Sequence, residues 1–185
     1  VTSALVGGIN FNLSNSAEFL YKNSMIALNI IQAAHDLNIK KLVFLGSSCM
    51  YPKNANQPIE ESSLTHGEIE FTNESYGIAK ILGVKLIEKI NTQYNRKYLT
   101  IVPTAAFGPG DIYDEKKSHV IPTMIMKFHN AKVKNIKKLT FWGTGEAQRE
   151  FIFVDDMAEG ILFIKDNVKK NEMINLGTGI EIKIK

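Results

Sequence analysis

The chain has 185 residues, of which 44% are hydrophobic and 22% charged, as in folded globular proteins and unlike disordered chains. Its net charge of +3 is too small to favour nucleic acid as a partner, although it suits an anionic small molecule. The single cysteine excludes an internal disulfide, and no apolar run approaches the roughly 18 residues of a membrane span. A cytoplasmic protein is therefore the expectation.

The first half of the chain is predicted to alternate helices with a strand. Apolar side chains recur at helical spacing over residues 16–37 and again from 74 to about 94. Between these helices, the apolar run 41–45 is too short for a helix and fits a strand buried on both faces. Residues 51–71 contain two prolines and many polar side chains, which favours a loop.

The second half of the chain continues the alternation. Its predicted elements are a strand at 98–102, a turn at 108–110, a helix at 119–130, a strand at 139–142, a helix at 154–166 and a strand at 173–176. Such regular alternation predicts an α/β fold with a doubly wound parallel sheet. Right-handed crossovers would then place the carboxyl ends of the strands, and any ligand, at one edge.

Tyr76 and Lys80 stand four residues apart, so they share a face of the second long helix. A phenol titrates near pH ~10, and a neighbouring ammonium group favours the phenolate and lowers that pKa. The pair could move a proton to or from a carbonyl oxygen during hydride transfer. The alternative is an exposed tyrosine beside a solvated lysine, because a pair at this spacing can arise by chance.

Ser47 and Ser48 follow the first buried strand directly, at the edge where α/β sheets bind ligands. A hydroxyl group there could donate a hydrogen bond to a substrate carbonyl. An ordinary turn is the alternative, since Gly46 and two serines also favour one. One loop and a helix start separate these serines from Tyr76, which is enough chain to bring them together.

Five segments, in their order and spacing, resemble the extended short-chain dehydrogenase/reductase family and, within it, the GDP-L-fucose synthases. They are residues 6–9, 45–53, 73–80, 118–122 and 149–157. The likeness covers nearly the whole chain and implies a Rossmann-like fold that lacks its first strands. The implied organisation is a partial dinucleotide-binding domain at 1–117, a substrate-domain segment at 118–150, and a helix and strand returning to the Rossmann domain at 151–185.

The resemblance implies NADPH-dependent 3,5-epimerisation and 4-reduction of GDP-4-keto-6-deoxy-D-mannose to GDP-L-fucose. Tyr76 would be the general acid, and Lys80 would lower its pKa and hold the nicotinamide ribose. Ser47 would bind the C4 oxygen. Cys49 and His119 would be the acid–base pair at the carbons flanking the ketone.

From the residues alone, Cys49 and His119 have simpler interpretations. A single cysteine is usually a small buried apolar side chain, and a histidine beside Ser118 at a helix start is usually a capping or surface residue. Only their places in the matching segments favour catalysis. With one cysteine and no pair of histidines at ligand spacing, no metal site is predicted.

The resemblance also implies contacts with the cofactor, expected to be NADP. These contacts are Leu45, Gly46, Ser47, Ser48, Lys80, Pro103, Thr104, Ala105, Ala106 and His119. The glycine-rich turn that holds the pyrophosphate in this family is not found, because Gly7 and Gly8 lack a third glycine and a following helix. The choice of NADP therefore depends on the resemblance.

The implied substrate-binding residues are Lys127, Trp142 and Arg149. Arg149 suits a diphosphate because its fork can bind two oxygens, whereas Lys127 stands where the family usually has arginine. Trp142 is equally well explained as a core residue.

Three other interpretations stay open. Ala105 and Ala106 stand where these synthases usually carry Asn-Leu, which enlarges the pocket and favours a related 4-keto-6-deoxy sugar, either a hexose or a heptose. The chain is also expected to be an internal piece of a longer enzyme, and such a piece could be inactive. A non-catalytic member of the fold is the third. The partners expected are a nucleotide sugar and a second copy of the chain, because the family dimerises through its two long helices.

Overall fold

A computed structural model describes residues 1–114, 118–141, 143–168 and 173–185. The helices are α1 (Ile9–Ser14), α2 (Ser16–Asp36), α3 (Glu74–Tyr94), α4 (Val120–Val133) and α5 (Val154–Asn167). The strands are β1 (Lys41–Leu45), β2 (Lys97–Pro103), β3 (Ala105–Phe107), β4 (Gln148–Phe153), β5 (Met173–Leu176) and β6 (Glu181–Lys183). Within these ranges, none of the helices has the length and apolar character needed to cross a membrane.

Four predicted helices and three predicted strands are confirmed, with ends that shift by at most three residues; they are α2 to α5 and β1, β2 and β5. The strand predicted at 139–142 is wrong for residues 139–141, and Trp142 lies outside the described residues. Phe141 packs against Phe128 of α4 instead, with 5.6 Å between ring centroids. Phe141 therefore serves contact with a helix rather than strand pairing.

The first sheet has the order β1-β2-β5, and both of its strand pairs are parallel. Leu45 lies opposite Ile101, and Leu176 lies opposite Pro103, so all three strands end at one edge. A second sheet has the order β3-β4-β6, in which β3 and β4 are parallel and β4 and β6 antiparallel. Sequence periodicity did not predict β3, β4 or β6. The absence of a helix after Gly8 is also wrong, because α1 begins at Ile9 with Gly8 in extended conformation before it.

Helices cover both faces of the first sheet. Phe44 of β1 packs against Gly83 of α3, where an added Cβ would lie 2.7 Å from the ring. Leu176 of β5 packs against Gly160 of α5, where an added Cβ would lie 2.8 Å from its side chain. The partners of Phe44 and Leu176 in β2 are three residues apart, so the two side chains point to opposite faces. The doubly wound arrangement is confirmed.

The main core lies between the first sheet and the pair α2 and α3. Its buried members come from these helices, from β1 and β2, from the turn that follows β1 and, at Leu64, from the loop before α3; they are Ala27, Ile31, Ala34, Phe44, Met50, Tyr51, Leu64, Val84, Ile87, Ile90, Tyr98 and Val102. Because Met50 and Tyr51 are packed in this core, their side chains hold the turn after β1 in place.

The loop between β1 and α3 closes on itself. Pro52 and Ile69 form an antiparallel bridge, and the Lys53 N–H donates to the Glu68 carbonyl over 2.9 Å. The chain therefore leaves β1 and returns to α3 at nearly the same place. This closure brings the residues just after β1 beside the first turn of α3.

Candidate active site

The turn Ser48–Met50 begins directly beyond the end of β1. Ser47 precedes it in extended conformation, and its Oγ accepts the Cys49 N–H over 3.4 Å. That contact uses the oxygen of Ser47 as an acceptor, and the Ser47 side chain also forms a hydrogen bond with the Cys49 thiol. The thiol of Cys49 is half-buried.

Gly77 allows α3 to rest directly on this turn. An added Cβ at Gly77 would lie 2.6 Å from the carbonyl oxygen of Cys49, closer than real Cβ atoms approach backbone. The close approach brings Tyr76 near Cys49, since charge on Cys49 affects the titration of the Tyr76 phenol. A glycine inside a helix lowers helix stability by about 1 kcal/mol relative to alanine. The glycine beside Tyr76 could therefore have been recognised in the sequence as a sign of close contact.

Lys80 is buried at the end of β1. Its ammonium group donates to the Leu45 carbonyl over 2.8 Å. The same Nζ lies 4.9 Å from the ring centroid of Phe44 and 5.6 Å from that of Tyr76. The four-residue spacing thus places Tyr76 and Lys80 together, at the strand end that carries Ser47.

The protonation of the pair differs from the sequence expectation. Burial raises the pKa of the Tyr76 phenol, and the neighbouring Cys49 raises it further. The Lys80 ammonium, which donates to the Leu45 carbonyl, does not reverse this rise. Burial lowers the pKa of Lys80 to about 8. At neutral pH the phenol therefore keeps its proton, the form needed by a general acid.

The thiol of Cys49 is subject to opposing influences. Burial raises its pKa, whereas the hydrogen bond with Ser47 and the positive charge of Arg149 lower it. Burial prevails, so the resting form is the thiol rather than the thiolate expected of a ready base. Arg149 is nevertheless placed where its charge favours loss of that proton.

His119 is not brought into this group. It is exposed, occupies the position before α4, and makes no side-chain capping bond. Within the part of the chain that the structure describes, it forms no hydrogen bond with Ser47, Cys49 or Tyr76. Its catalytic role stays a prediction.

At the edge beyond β1 and β2, the backbone is held in the sheet and two side chains are available to a ligand. The Gly46 N–H donates to Ile101 and the Thr104 N–H donates to Leu176, so both strand ends are held in the sheet. The Thr104 hydroxyl is buried and, among the described residues, has no hydrogen-bond partner. Together with the Lys80 ammonium it fits the hydroxyl and amide groups of a nicotinamide nucleoside.

The other predicted cofactor contacts lie around this edge. Ser48 is exposed in the turn, Pro103 ends β2, and Ala105 and Ala106 are exposed in β3. The last two present small side chains beside Thr104. The sequence prediction for these positions is compatible with their place in the fold, although no contact tests it.

The predicted substrate-binding residues are spread over two elements. Arg149 is exposed on β4, where one guanidinium nitrogen donates to the Gln148 carbonyl over 2.6 Å. Lys127 lies on α4 with its Nζ 5.0 Å from the ring centroid of Phe141. Trp142 cannot be placed, since it lies outside the described residues. Of the two that the structure describes, Arg149 is linked to the group around Cys49 through its charge.

The buried charge of Lys80 predicts a pH effect on stability. Its folded pKa of about 8 lies below the ordinary 10.5, so from pH 8 upward the unfolded chain binds more protons. The free energy of unfolding is expected to rise by about 1 kcal/mol between pH 7 and pH 9. Lys80→Met should abolish that rise in urea-unfolding measurements, whereas Lys89→Met, at an exposed position of α3, should retain it. Equal pH slopes in the wild type and Lys80→Met would contradict the burial of this charge.

Comparison with known proteins gives a consistent result. The family model for the NAD dependent epimerase/dehydratase family matches residues 1–177. GDP-L-fucose synthase of Escherichia coli is 44% identical over 100% of this chain and 60% of its own length. GDP-L-colitose synthase of Yersinia pseudotuberculosis is 40% identical over 98% of this chain and 60% of its own length.

Among solved structures, a GDP-mannoheptose C4 reductase from Campylobacter jejuni with NADP bound superposes with a TM-score of 0.84. It is 35% identical and the match covers 99% of this chain and 65% of that one. The chain thus spans about 60% of the length of the curated relatives named above. A tyrosine and a lysine of one helix, packed on a serine- and cysteine-bearing turn at the end of a parallel strand, agree with these matches: the chain belongs to the NAD dependent epimerase/dehydratase family.

Proposed function

We propose that the protein is an NADPH-dependent epimerase and reductase that converts GDP-4-keto-6-deoxy-D-mannose to GDP-L-fucose. The observation that carries the proposal is the packing of α3 on the turn after β1. It gathers Tyr76, Lys80, Ser47 and Cys49 at the carboxyl edge of the parallel sheet. The likeness to the Escherichia coli enzyme supports the choice of substrate.

In the reduction step, Tyr76 and Ser47 act on the oxygen at C4. Bound NADPH would supply the hydride. Tyr76 holds its proton at neutral pH and donates it to the oxygen as negative charge develops there. Ser47 turns its hydroxyl proton from the Cys49 thiol to that oxygen and donates a second hydrogen bond there. Lys80, held by the Leu45 carbonyl, binds the nicotinamide ribose with its remaining N–H groups.

In the epimerisation steps, a base removes a proton from a carbon next to the C4 ketone and an acid returns one on the other face. We assign these roles to Cys49 and His119. Ser47 and Arg149 favour the thiolate that removes the proton. The hydroxyls of Tyr76 and Ser47 stabilise the enolate oxygen at C4.

We assign binding of the GDP part of the substrate to side chains that lie outside the catalytic residues. Arg149 binds the diphosphate through its guanidinium N–H groups, with Lys127 and Trp142 completing the substrate site. Gly46, Ser48, Pro103, Thr104, Ala105 and Ala106 border the cofactor. This division corresponds to a cofactor-binding part at 1–117 and 151–185 and a substrate-binding part at 118–150.

The test uses a chimera in which this chain replaces the matching segment of the Escherichia coli GDP-L-fucose synthase. The chimera, NADPH and GDP-4-keto-6-deoxy-D-mannose are expected to yield GDP-L-fucose and oxidise NADPH. The 185-residue chain is titrated with NADPH by fluorescence in parallel. Binding by the chimera alone would show that the chain is inactive by itself. A chimera that binds NADPH but makes no GDP-L-fucose would contradict the proposed substrate.

A second candidate is a reductase or epimerase of another GDP-linked 4-keto-6-deoxy sugar, such as a heptose. The exposed, small Ala105 and Ala106 beside the catalytic edge favour it, as does the likeness to a GDP-mannoheptose C4 reductase. Turnover of a GDP-4-keto-heptose, with none of the deoxymannose compound, would establish this candidate.

We further propose that the protein is a cytoplasmic homodimer. The two long helices expose apolar side chains along their length, at Leu20, Tyr21 and Met25 on α2 and at Ile78 and Leu82 on α3. Two copies of this helix pair would cover these side chains as a four-helix interface.

The dimer proposal predicts the effect of a charge on α3. Leu82→Lys should convert the dimer to a monomer, because the ammonium group would be buried in the interface without a partner. Sedimentation velocity measures the change. Ile125→Lys, at an exposed apolar position of α4, is the control and should leave the dimer intact. A monomeric wild-type chain would refute the proposal.

A further inference from the structure

Asn175 is the centre of a polar network that has no part in the chemistry described above. Its Oδ1 accepts the Tyr51 hydroxyl over 2.6 Å, and its Nδ2 donates to the Ile59 carbonyl over 2.9 Å. Its backbone N–H donates to Oε1 of Glu61 over 2.7 Å. One residue of β5 therefore holds three separate points of the loop between β1 and α3.

The network lies next to the candidate active site. Tyr51 follows Cys49 by two residues and closes the turn Ser48–Met50. Asn175 lies opposite Val102 near the end of β5, at the edge where Lys80 and Ser47 are found. The turn that bears Cys49 is thus bounded by α3 at Gly77 on one side and by Asn175, through Tyr51, on the other.

We propose that Tyr51, Asn175 and Glu61 form a positioning network that fixes the turn bearing Cys49 against the end of β5. It sets the depth and direction of the thiol relative to Tyr76. The importance of the network for catalysis rests on the proposed function. Its effect on the accessibility of the Cys49 thiol is independent of that function.

The chemistry of the network suits positioning better than simple packing. Tyr51 is 5% exposed and packs in the core, so phenylalanine would fill nearly the same volume. A hydrogen bond adds a fixed direction, which apolar contact does not. Burial and the nearby Glu61 raise the pKa of Tyr51 to about 12, so its hydroxyl remains a donor throughout the working pH range. Glu61 in turn orients the backbone of Asn175.

The chain offers a specific probe and a matched control. Cys49 is the only cysteine, so alkylation by iodoacetamide reports on that one thiol. Tyr98 is also buried, and its hydroxyl also donates one hydrogen bond, to the Ile39 carbonyl over 3.0 Å. It lies near the start of β2, at the opposite end of the sheet from Cys49. Tyr98→Phe therefore removes an equivalent bond far from the turn.

The experiment measures the rate of alkylation of the 185-residue chain as a function of pH. Tyr51→Phe should accelerate the reaction several-fold and shift its pH profile to lower pH, because a released turn exposes the thiol to water. Tyr98→Phe should react like the wild type. Asn175→Leu should react at least as fast as Tyr51→Phe, because it also removes the bond from Nδ2 to the Ile59 carbonyl. The double variant should be no faster than Asn175→Leu, since both changes break the bond between Tyr51 and Asn175.

Equal rates for Tyr51→Phe, Tyr98→Phe and the wild type would overturn the proposal, as would additive effects of Tyr51→Phe and Asn175→Leu. If Asn175→Leu fails to fold, Glu61→Gln takes its place. Its side-chain carbonyl can still accept the Asn175 N–H, so its alkylation rate should lie between those of the wild type and Tyr51→Phe. An alkylation rate equal to that of the wild type would refute the role of Glu61. In the chimera, Tyr51→Phe should lower kcat with the KM for NADPH unchanged. A chimera that makes no GDP-L-fucose refutes the proposed substrate but leaves the alkylation results intact.

Discussion

Tyr76→Phe in the chimera is expected to lower kcat for reduction about 10²- to 10⁴-fold, the usual contribution of a positioned general acid. The phenol of Tyr76 is buried and keeps its proton at neutral pH. Phenylalanine fills the same space but has no proton to give to the C4 oxygen. Because Lys80 is held by the Leu45 carbonyl rather than by Tyr76, its position should survive the change. The KM for NADPH should therefore remain near that of the unsubstituted chimera.

Tyr94→Phe is the matched control for this substitution. Tyr94 is the last residue of the same helix and is 50% exposed, so its loss should leave kcat unchanged. Stopped-flow measurement of NADPH oxidation in a single turnover separates the chemical step from product release. A decrease of less than about tenfold for Tyr76→Phe would assign proton donation to another group, with Ser47 the nearest candidate.

Hydrophobic periodicity predicted the elements that bury a face. The helices α2 and α3 and the strands β1 and β2 are built around one core, so their apolar spacing reflects real burial. The strands β3 and β6 are largely exposed, and short exposed strands leave no periodic signal. Residues 139–141 show the opposite error, because Phe141 packs on α4 and not in a sheet.

The site was predictable where it depends on short spacing and on the direction of the strands. Tyr76 and Lys80 meet because of helical geometry, and Ser47 lies at the ligand edge because β1 is parallel to its neighbour. The protonation of Tyr76 was not predictable, since it depends on burial and on the neighbouring Cys49. The bond between Tyr51 and Asn175 was also hidden, because 124 positions separate the two residues in the chain.

Gly77→Ala is expected to lower kcat for both epimerisation and reduction by ~10²-fold, the loss that a displacement of about 1 Å can cause. The added Cβ would meet the Cys49 carbonyl oxygen at 2.6 Å. The Cβ is fixed rigidly to the helix backbone and the oxygen is itself a backbone atom, so neither can rotate away. The turn must therefore move away from α3. That movement separates Tyr76 from Cys49 and Ser47 at once. Overpacking of this kind costs about 1–3 kcal/mol of stability, partly offset by the ~1 kcal/mol by which alanine favours a helix over glycine.

Gly83→Ala distinguishes loss of geometry from loss of stability. Gly83 lies on the same helix, and its added Cβ would meet the ring of Phe44 at 2.7 Å. A side chain can adjust where backbone cannot, and this contact lies on the far side of Lys80 from the turn. We expect the two variants to lose similar stability in urea unfolding, while only Gly77→Ala loses about two orders of magnitude in kcat. Equal catalytic losses would mean that general loosening of α3, and not its contact with the Cys49 turn, controls the reaction.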